Sequence, residues 1–186
     1  MKRVLLTLLA AAALLLCGCS QDRAHILKVY NWADYIDEDV LANFPAWYKQ
    51  QTGKNIRIIY QTFDINEVML TKIERGHEDY DVVCPSEYII ERMLRKDLLL
   101  PIDTCFGKTP NYLKNVSPYI VEQIDATSNS QHIAHHYAVP YMWGTCGILY
   151  NKVHVPQKDA QTWGTLWNRK YRGKLLMKDS YRDSYG

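Results

Sequence analysis

The 186-residue sequence lacks several patterns that would indicate an enzyme or a metal protein. It has no CxxC pair, so neither a zinc ribbon nor a thioredoxin-like site is predicted. It has no G-x-S-x-G motif of a hydrolase, and Gly107-Lys108-Thr109 lacks the glycine five positions earlier that a P-loop requires. We therefore predict a protein that is not an enzyme, with no catalytic residue, no metal site and no cofactor.

The chain also lacks an excess of charge of either sign once its first residues are set aside. Without Lys2 and Arg3, 20 basic residues stand against 20 acidic residues. There is no basic stripe and no charged block. This balance excludes a nucleic-acid partner and an electrostatically bound membrane surface.

No apolar run in the sequence is long enough to span a membrane. The longest one, residues 4–16, has no charge and is preceded by Lys2 and Arg3. A spanning helix needs about 20 apolar residues, so this shorter run is typical of a signal peptide. We predict that residues 1–18 are a signal peptide and that residues 19–25 form a tether.

The end of the apolar run resembles the lipidation site of bacterial lipoproteins, in which a small residue precedes the modified cysteine. Cys19 follows Gly18, whereas Cys17 follows the bulky Leu16, so Cys19 is the better candidate. Several acyl chains on one cysteine make a stable anchor. We predict a periplasmic or extracytoplasmic protein attached to a bacterial membrane only through Cys19; an ordinary secretory signal is the alternative.

Strand and helix patterns alternate after residue 25. The strand patterns lie at 26–30, 56–60, 81–85, 137–141, 147–151 and 174–178. The helix patterns lie at 38–51, where Pro45 is expected to kink or interrupt the helix, and at 66–75, 89–96, 118–125 and 162–167. This alternation predicts an α/β fold with a mainly parallel sheet, in which ligands bind beyond the carboxyl ends of the strands.

Aromatic and acidic residues follow the first predicted strand, where Trp32, Asp34 and Tyr35 are close together in sequence. An aromatic face attracts an organic cation, and a carboxylate supplies charge-assisted hydrogen bonds to it. A second group, Ser86-Glu87-Tyr88, follows the third predicted strand, and Asp183 follows the last one. These positions are the candidate ligand-binding residues.

Six segments occur in an order typical of one family. They are Val29–Tyr35, Asn66–Met69, Tyr80–Tyr88, Val139–Gly144, Trp163–Trp167 and Asp179–Asp183. In these segments the chain resembles the spermidine/putrescine-binding proteins, which are the extracellular substrate-binding components of polyamine ABC importers.

The resemblance implies a type II periplasmic-binding-protein fold with two α/β lobes. It implies that residues 26–143 are the first lobe, that residues 144–186 begin a truncated second lobe, and that the sequence is an N-terminal fragment. It also implies that Trp32, Asp34, Tyr35, Ser86, Glu87, Tyr88 and Asp183 bind the ligand. A monomer is expected, which captures putrescine or spermidine between the lobes and delivers it to the permease subunits.

Alternatives remain open at this point. Trp32, Tyr35 and Tyr88 could be packing residues, and Asp34 could cap the helix that begins near Glu38. Glu87 could be a solvated surface residue, and Asp183 a structural partner of Arg182 or a helix cap. The protein could also bind another small cation or solute, or be a sensor or metal-binding lipoprotein that uses the histidines His132, His135 and His136.

Overall fold

The computed structural model of the protein describes residues 23–76, 78–102, 112–178, 180 and 184. The predicted signal peptide, Cys19 and Asp183 lie outside this range. The described residues form two compact units: residues 23–64 and 72–84 form the first unit, and residues 65–71 together with those from 85 onward form the second. The lobe boundary predicted after residue 143 stays a prediction.

The first unit is built on a three-stranded parallel sheet. Its strands are β1 (Ile26–Trp32), β2 (Arg57–Phe63) and β3 (Val82–Val83), in the order β2-β1-β3. β1 pairs with β2 over its whole length, from Ile26 opposite Arg57 to Trp32 opposite Phe63. β3 pairs with β1 through two residues only. The predicted α/β fold with a parallel sheet is thus confirmed, and all three strands end at the same edge of the sheet.

In the described part of the chain the strands are accompanied by the helices α1 (Glu38–Thr52), α2 (Asn66–Gly76), α3 (Glu87–Leu94) and α4 (Pro118–Asp125). α1 begins where the Asp37 side chain accepts a hydrogen bond from the Asp39 N–H, and it ends at Gly53, which adopts a left-handed φ of 72°. The helix continues through Pro45, so Pro45 does not interrupt it, and a kink at Pro45 stays a prediction. Within the described residues, no helix is both long and apolar enough to cross a membrane.

The second unit has irregular backbone where three strands were predicted. Residues 137–141, 147–151 and 174–178 form no strand, and the predicted helix at 162–167 is a 3-10 helix over Trp163–Trp167. Those three strand predictions are wrong for this structure. A strand needs a neighbour that pairs with its backbone groups, and none of these segments has one within the described part of the chain; the side chains of Leu149 and Leu176 are accordingly almost fully exposed.

Each unit has its own apolar core. In the first unit the buried apolar residues among those described are Ile26, Tyr30 and Phe63, which come from β1 and β2. In the second unit a cluster forms around Leu94, Ile124 and Ala134, which joins α3, α4 and the 3-10 turn Ala134–His136. The core of the second unit therefore packs against the carboxyl-terminal half of α3.

Arg23 fixes the chain just before β1. Its guanidinium donates to the Asp79 carboxylate at 2.7 Å and to the Asp81 carboxylate at 2.9 Å. Lys28 forms a further ion pair with Asp79. Lys28 and Arg23 together hold the pKa of the Asp79 carboxyl well below its usual range. These contacts attach the amino end of β1 to the segment that leads into β3.

We expect Asp79→Asn to lower the free energy of unfolding at neutral pH and to have less effect in acid. Because the folded state depresses the pKa of Asp79, unfolding takes up a proton in acid. The stabilisation is complete above the unfolded-state pKa of about 4 and is lost as the pH falls through the lower, folded-state value. Urea unfolding at several pH values measures this. Glu122→Gln, at an exposed carboxylate on α4, is the control, and an Asp79→Asn effect that does not change with pH would contradict the prediction.

Candidate functional site

Trp32 lies at the carboxyl end of β1 and packs on the neighbouring strand. Its ring centroid is 4.6 Å from that of Phe63, its register partner on β2. Phe63 is only 5% exposed, whereas Trp32 is half-buried. The Trp32 indole therefore packs against the buried Phe63 ring, and part of its surface stays accessible to solvent. The packing role and the binding role considered for Trp32 are compatible.

The backbone around Trp32 is held by two side chains. The Asn31 side-chain oxygen accepts a hydrogen bond from the Trp32 N–H at 2.8 Å, and the Tyr60 hydroxyl donates to the Trp32 carbonyl at 3.4 Å. The Tyr35 ring lies 6.2 Å from the Trp32 ring and is 42% exposed. The structure thus brings Trp32 and Tyr35 together as an aromatic pair at the end of β1.

Asp34 lies in the turn between these two aromatic residues, with an exposed side chain. Its φ of 59° is in the left-handed region, which costs a non-glycine residue on the order of 1–3 kcal/mol. Asp tolerates this conformation better than most residues because its short polar side chain can bond locally. Asp37 caps α1, so the alternative that Asp34 is the helix cap is wrong.

The second group of candidates lies at the start of α3 and is organised by Asn66. Asn66 is the first residue of α2 and is fully buried. Its side-chain N–H groups donate to the Ser86 Oγ and to the Tyr88 hydroxyl, both at 2.9 Å. Its oxygen accepts from the Ser86 backbone N–H at 3.2 Å. The structure therefore brings Ser86 and Tyr88 together through one buried amide.

Glu67 is also part of this network, because its Oε1 accepts a hydrogen bond from the Tyr88 hydroxyl at 3.3 Å. Its Oε2 is buried and has no hydrogen-bond partner within the described residues. A buried carboxylate oxygen without a donor is costly. A hydrogen-bond donor or a positive charge placed near the Glu67 Oε2 would therefore be stabilising.

Of the other predicted site residues, Glu87 is exposed, Tyr88 is half-buried and Asp183 is not described. Glu87 is exposed in the first turn of α3, where its carboxylate is favourable at the positive end of the helix. Tyr88 is half-buried and hydrogen-bonded, so it is not simply a core residue. Asp183 lies outside the described residues, and its role stays a prediction.

Phe63, Asn66 and Glu67 contribute to these two groups, although sequence reasoning did not name them as site residues. Phe63 supports Trp32, and the other two bond the side chains that follow β3. A signal for Phe63 was available, because it follows the second predicted strand and so is expected at the carboxyl edge of a parallel sheet. The signal for Asn66 was ambiguous, because an asparagine before a helix is ordinarily interpreted as a cap.

The three histidines considered as zinc ligands do not converge on one point, and two of them pair with different aspartates. His132 pairs with Asp97 at 3.3 Å, and His135 pairs with Asp125 at 2.8 Å. His136 contacts the His135 ring, with 4.5 Å between the centroids. Among the described residues, no group of three or more His, Cys, Asp or Glu side chains is arranged to hold a metal ion. The geometry gives the zinc alternative no support.

Aromatic faces and carboxylates are therefore present in both groups. Trp32, Tyr35 and Asp34 form the group of the first unit, and Tyr88, Glu67 and Glu87 lie in the second unit together with the Ser86 hydroxyl. Such groups suit a small organic cation, which gains cation–π contacts and charge-assisted hydrogen bonds.

Comparison with protein families gives a match over most of the chain. The family described as bacterial extracellular solute-binding protein matches residues 46–186. The spermidine/putrescine-binding periplasmic protein of Escherichia coli is 31% identical over 188 aligned positions, covering 100% of this chain and 50% of the relative. The putrescine-binding periplasmic protein PotF of the same organism is 37% identical, over 67% of this chain and 30% of the relative.

Comparison with solved structures also gives a match to a polyamine-binding protein. The crystal structure of the spermidine/putrescine ABC transporter substrate-binding protein PotD from Streptococcus pneumoniae matches with a TM-score of 0.57 and 36% identity. The match covers 79% of this chain and 41% of that protein. The chain spans about half the length of the curated relatives that it matches over its whole length. These relatives are substrate-binding transport proteins and not enzymes, as predicted for this chain.

Because the backbone at Asp34 is left-handed, glycine is expected to be more stable than alanine at this position. We expect Asp34→Gly to have a free energy of unfolding about 1 kcal/mol higher than Asp34→Ala, because glycine has no Cβ to clash at positive φ. At Asp64, which is exposed and has no positive φ, the order is expected to reverse, since glycine loses more chain entropy on folding. Chemical denaturation of the four variants tests this. Equal or higher stability of Asp34→Ala would show that position 34 is not left-handed.

Proposed function

Because this chain belongs to the bacterial extracellular solute-binding protein family, we propose that it is the extracytoplasmic polyamine-binding component of an ABC importer. The observation that carries the proposal is the supported aromatic pair at the end of β1 with an exposed carboxylate between its members. The similarity to proteins named for binding spermidine and putrescine supports the class of ligand. Diamines and triamines are the cargo that we propose.

In this proposal Trp32 and Tyr35 contact the methylene chain and one ammonium group of the polyamine. A desolvated cation–π contact of this kind contributes about 2 kcal/mol. Asp34 pairs with the same ammonium, because a buried ammonium without an acceptor costs several kcal/mol. The strained turn at Asp34 supports this role, since strained backbone conformations are concentrated at ligand-binding sites.

We further propose that Ser86, Glu87 and Tyr88 bind the ligand from the start of α3. The hydrogen bonds from Asn66 support the role of Ser86 and Tyr88, because they restrict both side chains before ligand arrives. The exposure of Glu87 leaves its carboxylate accessible. For Asp183 the support is the sequence resemblance alone, and capture between two lobes with delivery to permease subunits rests on the same resemblance.

The proposed location of the protein rests on its relatives and on its N-terminal sequence. The relatives are periplasmic binding proteins, which supports an extracytoplasmic location for this chain. The basic residues, short apolar run and Gly18-Cys19 sequence support attachment to the membrane through a lipid on Cys19. We propose that the protein acts as a monomer outside the cytoplasm, attached to a bacterial membrane through Cys19.

Titration calorimetry tests the proposed function. The protein expressed from its own gene is expected to bind putrescine or spermidine and not 1,4-butanediol, which has the methylene chain of putrescine but no ammonium group. Asp34→Asn is expected to weaken binding about tenfold or more, because it removes the charge that is proposed to pair with the ammonium group, and Trp32→Ala to weaken it by a similar factor. Asp39→Asn, at an exposed carboxylate in the first turn of α1, is the matched control. No heat of binding with any polyamine would refute the proposal.

The lipid anchor is tested by changing the two cysteines separately. We expect Cys19→Ala to move the protein from the membrane fraction of the cells to the soluble fraction, because the acyl chains have no other attachment point. Cys17→Ala is expected to leave the protein in the membrane fraction. Mass spectrometry of the mature N-terminus reports the modification directly. Release by Cys17→Ala instead of Cys19→Ala would contradict the assignment.

A further inference from the structure

The orientation of the Asn66 side chain is determined by a backbone group. The Ser86 N–H can only donate, so the Asn66 atom 3.2 Å from it must be the oxygen. The opposite side of the amide is then the NH2 group, whose two protons go to the Ser86 Oγ and the Tyr88 hydroxyl. Both hydroxyl oxygens therefore act as acceptors towards Asn66.

The two hydroxyl groups differ in where their own protons go. The Tyr88 hydroxyl has one proton, and it is donated to the Glu67 carboxylate. Towards any further partner the Tyr88 oxygen can consequently act only as an acceptor. The Ser86 hydroxyl accepts from Asn66 and can still donate its own proton. One buried amide and one carboxylate thus give two neighbouring hydroxyl groups different hydrogen-bonding roles.

The negative charge of Glu67 favours the orientation in which the Tyr88 hydroxyl donates its proton to the carboxylate. Oε1 takes the Tyr88 proton, and Oε2 is buried without a hydrogen-bond partner in the described part of the chain. A carboxylate in such a position polarises the hydroxyl that donates to it, which makes the tyrosine oxygen a stronger acceptor.

We propose that Glu67 is a positioning residue for ligand selectivity, which fixes the Tyr88 hydroxyl as an acceptor and so favours ligands that present N–H donors. Glu67 acts through Tyr88 and is not itself placed in contact with the ligand. The inference rests on the proposed function, since Tyr88 is proposed there to bind the polyamine. It assigns a specificity role to a residue that sequence reasoning did not select.

A double-mutant cycle on putrescine affinity tests this inference. Glu67→Gln preserves the shape of the side chain, but its amide can donate to Tyr88 and release the tyrosine proton towards the ligand. We expect Glu67→Gln to weaken putrescine binding about fivefold, which corresponds to the loss of one hydrogen bond of ordinary strength. In the Tyr88→Phe background the same change is expected to have no further effect, because the hydroxyl that transmits it is absent.

Glu91→Gln is the matched control, since Glu91 lies on α3 and pairs at the surface with Arg95 at 3.2 Å. It is expected to leave the affinity unchanged. Melting temperatures of all variants report whether the fold is preserved. If the unchanged protein binds putrescine and Glu67→Gln binds it equally well, the inference is wrong and the proposed function stands. An equal loss in the presence and absence of the Tyr88 hydroxyl would also overturn it, by showing a merely structural effect. If the unchanged protein binds no polyamine, both proposals fall.

Discussion

β1 is hydrogen-bonded to β2 on one side and to β3 on the other, and both neighbours run parallel to it. Because the strands are parallel, their carboxyl ends lie at one edge of the sheet, and each chain segment that leaves a strand begins there. The pairing of Trp32 with Phe63 is the last step of this register. A shift by one residue would place the indole on the other face of the sheet, away from the ring that supports it.

Asn66 has a comparable role in the second unit. A fully buried amide must satisfy its donors and its acceptor, and here all of them are used on the residues that follow β3. Ser86 and Tyr88 are consequently restricted by a residue that is distant in sequence. The two groups of candidate site residues are thus supported differently, the first by ring packing on the sheet and the second by hydrogen bonds to the start of α2.

The regular elements of the first unit could be predicted from the sequence, because β1, β2 and α1 carry clear apolar periods and Gly53 marks the end of α1. The segments at 147–151 and 174–178 carry similar strand patterns, yet they form no strand, since a strand depends on a partner that local sequence does not specify. Trp32, Asp34, Tyr35, Ser86 and Tyr88 could be selected as candidates by residue type. Their partners Asn66 and Glu67 could not, because these contacts depend on packing between distant segments.

The attachment of Arg23 to Asp79 and Asp81 also determines how the first unit would carry a mechanical load. A pull on the N-terminal segment along the direction of β1 loads the hydrogen bonds to β2 together, in shear, and does not open them one after another. The seven residues of β1 place Trp32 about 20 Å from the point of attachment. In the anchored protein proposed above, tension from the N-terminal segment would therefore act on Arg23, Lys28 and the β1–β2 hydrogen bonds before it reached the aromatic pair at the far end of the strand.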